Sequence, residues 1–316
     1  MSKGQFLFFT PNRGNEEHLK SELKYALPDL KLSFSRPGFL TFKNSGNDID
    51  LKSLSTMHFA FSRVHGLCLG PVDEEKVTDE IESYLKHYSI HSYNIHNWSR
   101  DGKKASSDIN SSADFIFDVI EVDRNKIWLG LHLADINSNS APGGFPQLSL
   151  PEDSPSRAYL KIAEIVHSYK LKVSQQDTIL DIGCAPGGAT QFFLERGNCV
   201  IGIDPGEMNE ICSKNSNFTH LQSPVQKISK AQIKKKIDWI IMDLNLQAGL
   251  SLKEGIRLAK EYPNLKGLVF TVKMPTPDLS ERIVEFVSKF YSFKFNHLIY
   301  SQVPTHKKEF AIIAYN

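Results

Sequence analysis

From residue 156 onward the chain alternates short apolar runs with stretches whose apolar residues recur at helical spacing. The runs Thr178–Ile182, Val200–Asp204, Trp239–Asp243 and Leu268–Lys273 are rich in β-branched residues and read as strands. Helices are predicted over Arg157–Lys170, over 189–196 after a glycine turn, over Leu252–Glu261 and over Leu279–Tyr291. Strands alternating with helices predict an α/β unit with a doubly wound, mostly parallel sheet that takes ligands at the carboxyl ends of its strands. Two further runs, Phe293–Tyr300 and Phe310–Tyr315, predict a closing hairpin. The first half has a different pattern. Phe6–Thr10 and Leu40–Lys43 read as strands around the amphipathic helix Glu16–Tyr25, and Phe115–Val122 and Ile127–Leu133 as a hairpin turning at Arg124-Asn125. That pattern predicts an α+β module. The turn-rich Pro142-Gly-Gly-Phe-Pro146, with Pro151 and Pro155 beyond it, separates the two, giving domains 1–145 and 150–316, with Asp135–Pro142 as a flexible segment.

Composition narrows the classes. A length of 316 residues allows two domains, and no stretch approaches the roughly 20 apolar residues of a membrane span, so a cytoplasmic protein without a membrane partner is expected. The four cysteines, Cys68, Cys184, Cys199 and Cys212, have neither metal-ligand nor disulfide spacing, and no metal is expected. A net charge of +1 neither demands nor excludes a nucleic-acid partner. Any basic surface is local, at Arg100 with Lys103 and Lys104, at Lys234–Lys236, or at Lys307-Lys308. The first domain shows no acid/base or nucleophile set and reads as a binding module, in which Tyr93, Trp98 and Arg100 are candidates to stack on RNA bases and core packing is the competing fate of the aromatics.

The densest chemical signal is Ile179-Leu-Asp-Ile-Gly-Cys-Ala-Pro-Gly-Gly188. A strand that breaks into a glycine turn at a helix N-terminus lets backbone approach a ligand, which makes Asp181, Gly183, Cys184, Ala185, Pro186, Gly187 and Gly188 candidate cofactor contacts. The next strand ends in Asp204, about 20 residues on, the spacing at which an acid holds ribose hydroxyls. A ribose-bearing cofactor is expected. Proline within the turn and the order Gly183-Cys-Ala-Pro-Gly-Gly depart from the dinucleotide pattern.

Four charged residues accompany this loop. Lys161 lies on the helix before the cofactor strand, Asp243 and Lys273 end apolar strands, and Glu309 opens the last strand after His306-Lys-Lys. Unpaired charges at the ends of buried strands are expensive, so Asp243 and Lys273 must answer each other or a ligand. The set Lys161, Asp243, Lys273, Glu309, with Pro155-Ser-Arg-Ala-Tyr-Leu-Lys161, Ala185-Pro-Gly-Gly188, Gly202-Ile-Asp-Pro-Gly-Glu-Met208, Asp238-Trp-Ile-Ile-Met-Asp243, Val272-Lys-Met-Pro275 and His306-Lys-Lys-Glu309, resembles the FtsJ-like RNA 2′-O-methyltransferases. Within that family it is most similar to the RlmM-type branch that acts on a cytidine ribose of large-subunit ribosomal RNA.

The resemblance implies a Rossmann-like class I methyltransferase domain, S-adenosyl-L-methionine as cofactor, RNA (23S ribosomal RNA first) as partner, and a THUMP-like module within about 75–140 of the first domain. It also implies Lys273 as general base. Neutral lysine is needed for that, and the nearby Lys161 ammonium with partial burial is expected to lower its pKa. Asp243 would steady a lysine and the methionine end of the cofactor, and Glu309 would orient Lys161 and the ribose. The chain departs from the family pattern at Ala189, where an aromatic residue is usual, at Leu221–Gln226, which offers no acid for the adenine side, and at Ala158, where related proteins can show serine. A monomer is expected. The competing readings are a non-catalytic RNA-binding or ribosome-assembly protein that keeps the fold, and a pair of structural Lys–acid salt bridges.

Overall fold

A computed structural model describes residues 4–108, 113–123, 126–135 and 139–316, so the Arg124-Asn125 turn and part of the Asp135–Pro142 segment lie outside the described residues. The chain forms two compact units, 1–147 and 148–316.

The first unit contains β1 (Phe6–Phe9), α1 (Glu16–Ala26), β2 (Leu30–Arg36), β3 (Phe39–Asn44), α2 (Leu51–Ser55), β4 (His65–Val72), α3 (Val77–Tyr88), β5 (Tyr93–Ser99), β6 (Ala105–Asp108), β7 (Phe115–Asp123) and β8 (Lys126–Leu133). Its described strands form one sheet in the order β2-β3-β1-β4-β8-β7-β5-β6, antiparallel except for β5 against β7. The α+β expectation holds, with more sheet than periodicity predicts. β2, β4, β5 and β6 were missed because Leu30–Arg36 is polar on its solvent side, His65–Val72 carries two glycines and a proline, and β5 and β6 are built largely from polar residues. The sheet curls so far that Phe34 of β2 packs on Trp128 of β8, ring centroids 4.7 Å apart, although three strands lie between them in the sheet.

This curl changes the reading of Trp98. It is 2% exposed, and its indole Nε1 donates to Asp118 at 2.8 Å, so it is a core residue and is not available to RNA. Arg100 is committed too, donating to the carbonyl oxygens of Val122 and Pro37. Tyr93 packs edge-on against Phe117.

Burial holds His58, His65 and His96 each down to about 4. A histidine whose pKa falls on folding stabilises the fold fully above its unfolded value, about 6.5, and that stabilisation is lost as pH drops through the folded value. Urea unfolding of the first unit, followed by hydrogen exchange in β4, β5 and β8, is therefore expected to show stability falling steadily from about pH 6.5 to pH 4. A flat profile over that range would contradict the buried neutral histidines.

The second unit contains α4 (Ala158–Ser168), β9 (Thr178–Ile182), α5 (Gly188–Glu195), β10 (Cys199–Ile203), α6 (Glu210–Ser213), β11 (Phe218–Leu221), β12 (Trp239–Met242), α7 (Ala248–Ala259), β13 (Gly267–Lys273), α8 (Ile283–Ser288), β14 (His297–Ser301) and β15 (Glu309–Tyr315). The sheet order is β11-β10-β9-β12-β13-β15-β14. β11 to β13 run parallel, whereas β15 enters antiparallel between β13 and β14. This is the mostly parallel α/β sheet that the alternation predicts.

Its core follows from composition. β12 is Trp-Ile-Ile-Met and buried throughout, as a strand covered on both faces must be. α4 turns Ile162, Ile165, Val166 and Tyr169 inward at helical spacing, where they join Phe192 and Phe193 of α5. Boundaries moved where local chemistry intervened. The predicted helix Leu279–Tyr291 is instead a 3₁₀ turn over Pro277–Arg282 followed by the short α8. α7 begins earlier than its apolar pattern suggests, at Ala248. The short edge strand β11 was missed.

Candidate active site

Sheet register brings the four charged residues together. Lys273, last in β13, lies directly opposite Glu309, first in β15, and Asp243 directly follows Met242 at the end of β12. Lys161 reaches them from the first turn of α4. The result is a closed ring of alternating charge. Asp243 accepts from Lys161 Nζ through Oδ2 at 2.9 Å and from Lys273 Nζ through Oδ1 at 2.7 Å. Glu309 accepts from Lys161 through Oε1 at 2.7 Å and from Lys273 through Oε2. Each carboxylate bridges both lysines.

The ring is mostly buried, the Glu309 side chain 8% and Lys273 24% exposed. Burial alone would raise the pKa of Asp243, yet the ammonium groups of Lys161 and Lys273 outweigh it and hold the carboxyl down at about 2. Glu309 is lowered too: burial opposes this, but the charges of His306, Lys161 and Lys273 prevail. Lys273 behaves contrary to the sequence expectation. Burial pushes its pKa down, but Asp243 and Glu309 together push harder, and the net shift is upward. Two touching carboxylates outweigh one neighbouring ammonium, so Lys273 is held protonated.

Residues without an assigned role fix this geometry. Glu164, one turn beyond Lys161, accepts from the Thr305 backbone N–H at 2.9 Å and the Thr305 hydroxyl at 2.8 Å, tying α4 to the loop that delivers Glu309. Gln302 is fully buried and donates through Nε2 to the Glu309 carbonyl at 3.1 Å. His306, 2% exposed, is pushed down to about 4 by burial against the opposing pull of Glu309, and accepts through Nδ1 from the Val303 N–H. The sequence places His306 within a motif but marks no role for Glu164 or Gln302. Their only signal was a polar residue in an otherwise apolar pattern.

The glycine turn lies beside the ring. Gly183 N–H donates to the Ile203 carbonyl at 2.8 Å and Asp243 N–H to the Ile182 carbonyl at 3.0 Å, so β10, β9 and β12 end level with one another. The glycines serve their protein neighbours first. A Cβ on Gly183 would stand 2.6 Å from the Asp243 carbonyl oxygen, one on Gly187 2.7 Å from Cys212 Sγ, and one on Gly188 2.7 Å from the Ser156 carbonyl oxygen. Gly183 and Gly187 also have φ of +84° and +123°, a region that disfavours side chains. These glycines seat α5 against α4 and the turn against β12.

The remaining candidates divide by exposure. Asp204 is partly exposed beyond β10; its Oδ1 accepts from Gly206 N–H at 2.7 Å and its Oδ2 from Ala185 N–H at 3.3 Å. Each carboxylate oxygen keeps acceptor capacity for a hydroxyl. Asp181 is 2% exposed and bound to the Thr190 hydroxyl at 2.7 Å; burial raises it to about 7. It braces strand to helix and presents nothing outward. Cys184 is buried, its thiol 3.6 Å from Met208 Sδ, so only its backbone is available to a ligand. Ala185 and Pro186 form the turn itself, the Asn209 N–H donating back to the Pro186 carbonyl.

Among the described residues no group of histidines, cysteines and acids could hold a metal ion, and no helix is long and apolar enough to cross a membrane. A model of the FtsJ-like methyltransferase family matches residues 155–298. Curated relatives named ribosomal RNA large subunit methyltransferase M include those of Pseudomonas entomophila, 33% identical over 125 residues, which covers 38% of this chain and 34% of the relative. Another, from Shewanella amazonensis, is 27% identical over 199 residues, covering 58% of this chain and 52% of the relative. The chain thus spans between a third and about half of the length of these relatives. Over residues 155–298, which hold the glycine turn and Lys161, Asp243 and Lys273 of the ring but not Glu309, the second unit is similar to the FtsJ-like methyltransferase family.

Proposed function

We propose that this protein transfers a methyl group from S-adenosyl-L-methionine to a ribose 2′-hydroxyl of RNA, with large-subunit ribosomal RNA as its substrate. The observation that carries the reading is the closed ring of Lys161, Asp243, Lys273 and Glu309 at the carboxyl ends of the central strands. A pair of structural salt bridges would give each carboxylate one lysine; here each carboxylate bridges both beside a strand-end crevice, an arrangement suited to a reaction that moves a proton. The relatives named above support RNA as the acceptor.

The residues present fit the cofactor by their chemistry. Asp204 and Asp243 flank the turn, Asp204 keeping acceptor capacity for ribose hydroxyls while Asp243 is already balanced by Lys161 and Lys273. When bound there, the cofactor supplies an electrophilic methyl group. Asp204 would hold ribose hydroxyls, backbone groups of Gly183, Cys184, Ala185, Pro186, Gly187 and Gly188 would line the crevice, and Asp243 would face the methionine end. Asp181 contributes by stiffening β9 beneath the turn.

The protein's own task is to remove the 2′-hydroxyl proton and fix the oxygen in line. Lys273 accepts that proton at Nζ in its neutral form. Lys161, held by Asp243 and Glu309, orients the ribose and balances the carboxylates as Lys273 changes charge. The first unit serves as an RNA-binding, THUMP-like module in this reading, and the protein acts as a cytoplasmic monomer.

The test is transfer of labelled methyl to ribosomal RNA, with alkali-resistant linkages mapping the modified ribose. Because Lys273 is held protonated, its neutral fraction grows tenfold per pH unit below its pKa, so the single-turnover rate should rise with unit slope from pH 7 to pH 9. No labelled RNA, or a rate independent of pH over that range, would overturn the reading or the assigned base respectively. Absence of cofactor binding by calorimetry would favour a non-catalytic RNA-binding protein.

A further inference from the structure

The ring opens on one side into a groove of about 840 Å³. Its charged lining is Lys273, Arg282, Lys307 and Lys308 against one carboxylate, Glu309. Leu246, Pro275 and Leu279 give it an apolar wall. A second groove, of about 750 Å³, lies along α7 and α8 and repeats the imbalance: Lys253, Arg257, Lys260 and Lys289 against Glu285 alone. Gly249, near the start of α7, lines both grooves, and a Cβ built on it meets no atom within 4 Å.

Such clustering is unusual in a chain with 37 basic and 36 acidic residues. Several of the cations have structural partners. Arg257 donates to the Val225 and Ile228 carbonyls and to Glu254, and Lys289 and Arg282 share Glu285. Lys253, Lys260 and Lys308 are exposed and have no carboxylate partner among the described residues.

We propose that an RNA strand leaving the target ribose runs through the first groove, crosses Gly249 and continues along α7 in the second. This rests on the reading of the ring as an RNA ribose methylation site and adds the direction of the substrate. The ligand is single-stranded RNA because the track pairs spaced cations, which suit phosphates, with an apolar wall at Leu246, Pro275 and Leu279, against which bases pack. A residue without a side chain at the junction leaves the passage open.

Two variants outside the proposed catalytic set test this: Lys253→Glu with Lys260→Glu, and Gly249→Leu. Filter binding of a ribosomal RNA fragment around the mapped ribose, repeated over a salt series, is expected to weaken at least tenfold for the double variant. Its plot of log affinity against log salt should flatten by about 1.4, since each single-strand phosphate contact contributes about 0.7. Gly249→Leu is expected to raise the KM for RNA while leaving kcat and cofactor affinity unchanged. Neutralising Lys234–Lys236, which lies on neither groove, serves as the control. Wild-type RNA affinity and salt slope in both variants, with unchanged thermal midpoints, would overturn the track. A wild-type protein that binds ribosomal RNA but transfers no labelled methyl to it would overturn the proposed activity instead.

Discussion

Replacing Lys273 by arginine is expected to lower the single-turnover rate of methyl transfer by roughly 10³-fold, within the usual range for a lost general base. Arginine keeps the positive charge opposite Asp243 and Glu309, so the ring survives, but a guanidinium does not give up its proton near neutral pH. Lys273→Met removes the charge as well. It leaves two buried carboxylates with Lys161 alone, and because Lys273 is about a quarter exposed the destabilisation is expected near 2 kcal/mol, below the range for a fully buried pair. Calorimetry should show cofactor binding in both variants. An arginine variant with near wild-type rate would reduce Lys273 to an electrostatic part and remove it as the base.

Gly183→Ala is expected to be the most damaging small substitution in the second unit. The new methyl would sit 2.6 Å from the Asp243 carbonyl oxygen and 3.0 Å from its carbonyl carbon, and backbone moves less readily than a side chain. Holding φ at +84° adds about 1 kcal/mol for a residue with a Cβ. Together these effects suggest a loss of about 3 kcal/mol and, for a unit of this size, a thermal midpoint lower by about 6–12 °C. Because the clash pushes on the residue that carries Asp243, activity should fall further than stability alone accounts for. Gly249→Leu provides the contrast, having free space around its Cβ. Calorimetric melting of both variants checks the pair, and an unshifted midpoint for Gly183→Ala would show that the turn relaxes freely.

The second unit was legible because its strands are continuous apolar runs and its charges interrupt them. Asp243 and Lys273 stood out as ionisable groups at the ends of buried strands, and the structure joins them. What stayed hidden was anything decided by register or by packing between distant segments. No local pattern says that β15 slips antiparallel between β13 and β14, yet that placement sets Glu309 opposite Lys273. The direction of the Lys273 shift was misjudged because burial and the Lys161 ammonium were weighted above the acids, whereas both Asp243 and Glu309 touch Lys273 at once. The first unit was harder to read because its strands are short, polar or glycine-bearing. Trp98 took the core-packing fate that the sequence set against RNA stacking.

The interior position of β15 has a consequence for the order of assembly. An intermediate that has paired β9 to β13 already owns the glycine turn, Asp204 and Asp243, yet its would-be base faces an open edge. Only the insertion of β15 between β13 and β14 supplies the fourth corner. Until that strand is in place Lys273 has no Glu309 opposite it, so the charge balance of the ring depends on the completed sheet and not on the glycine turn alone.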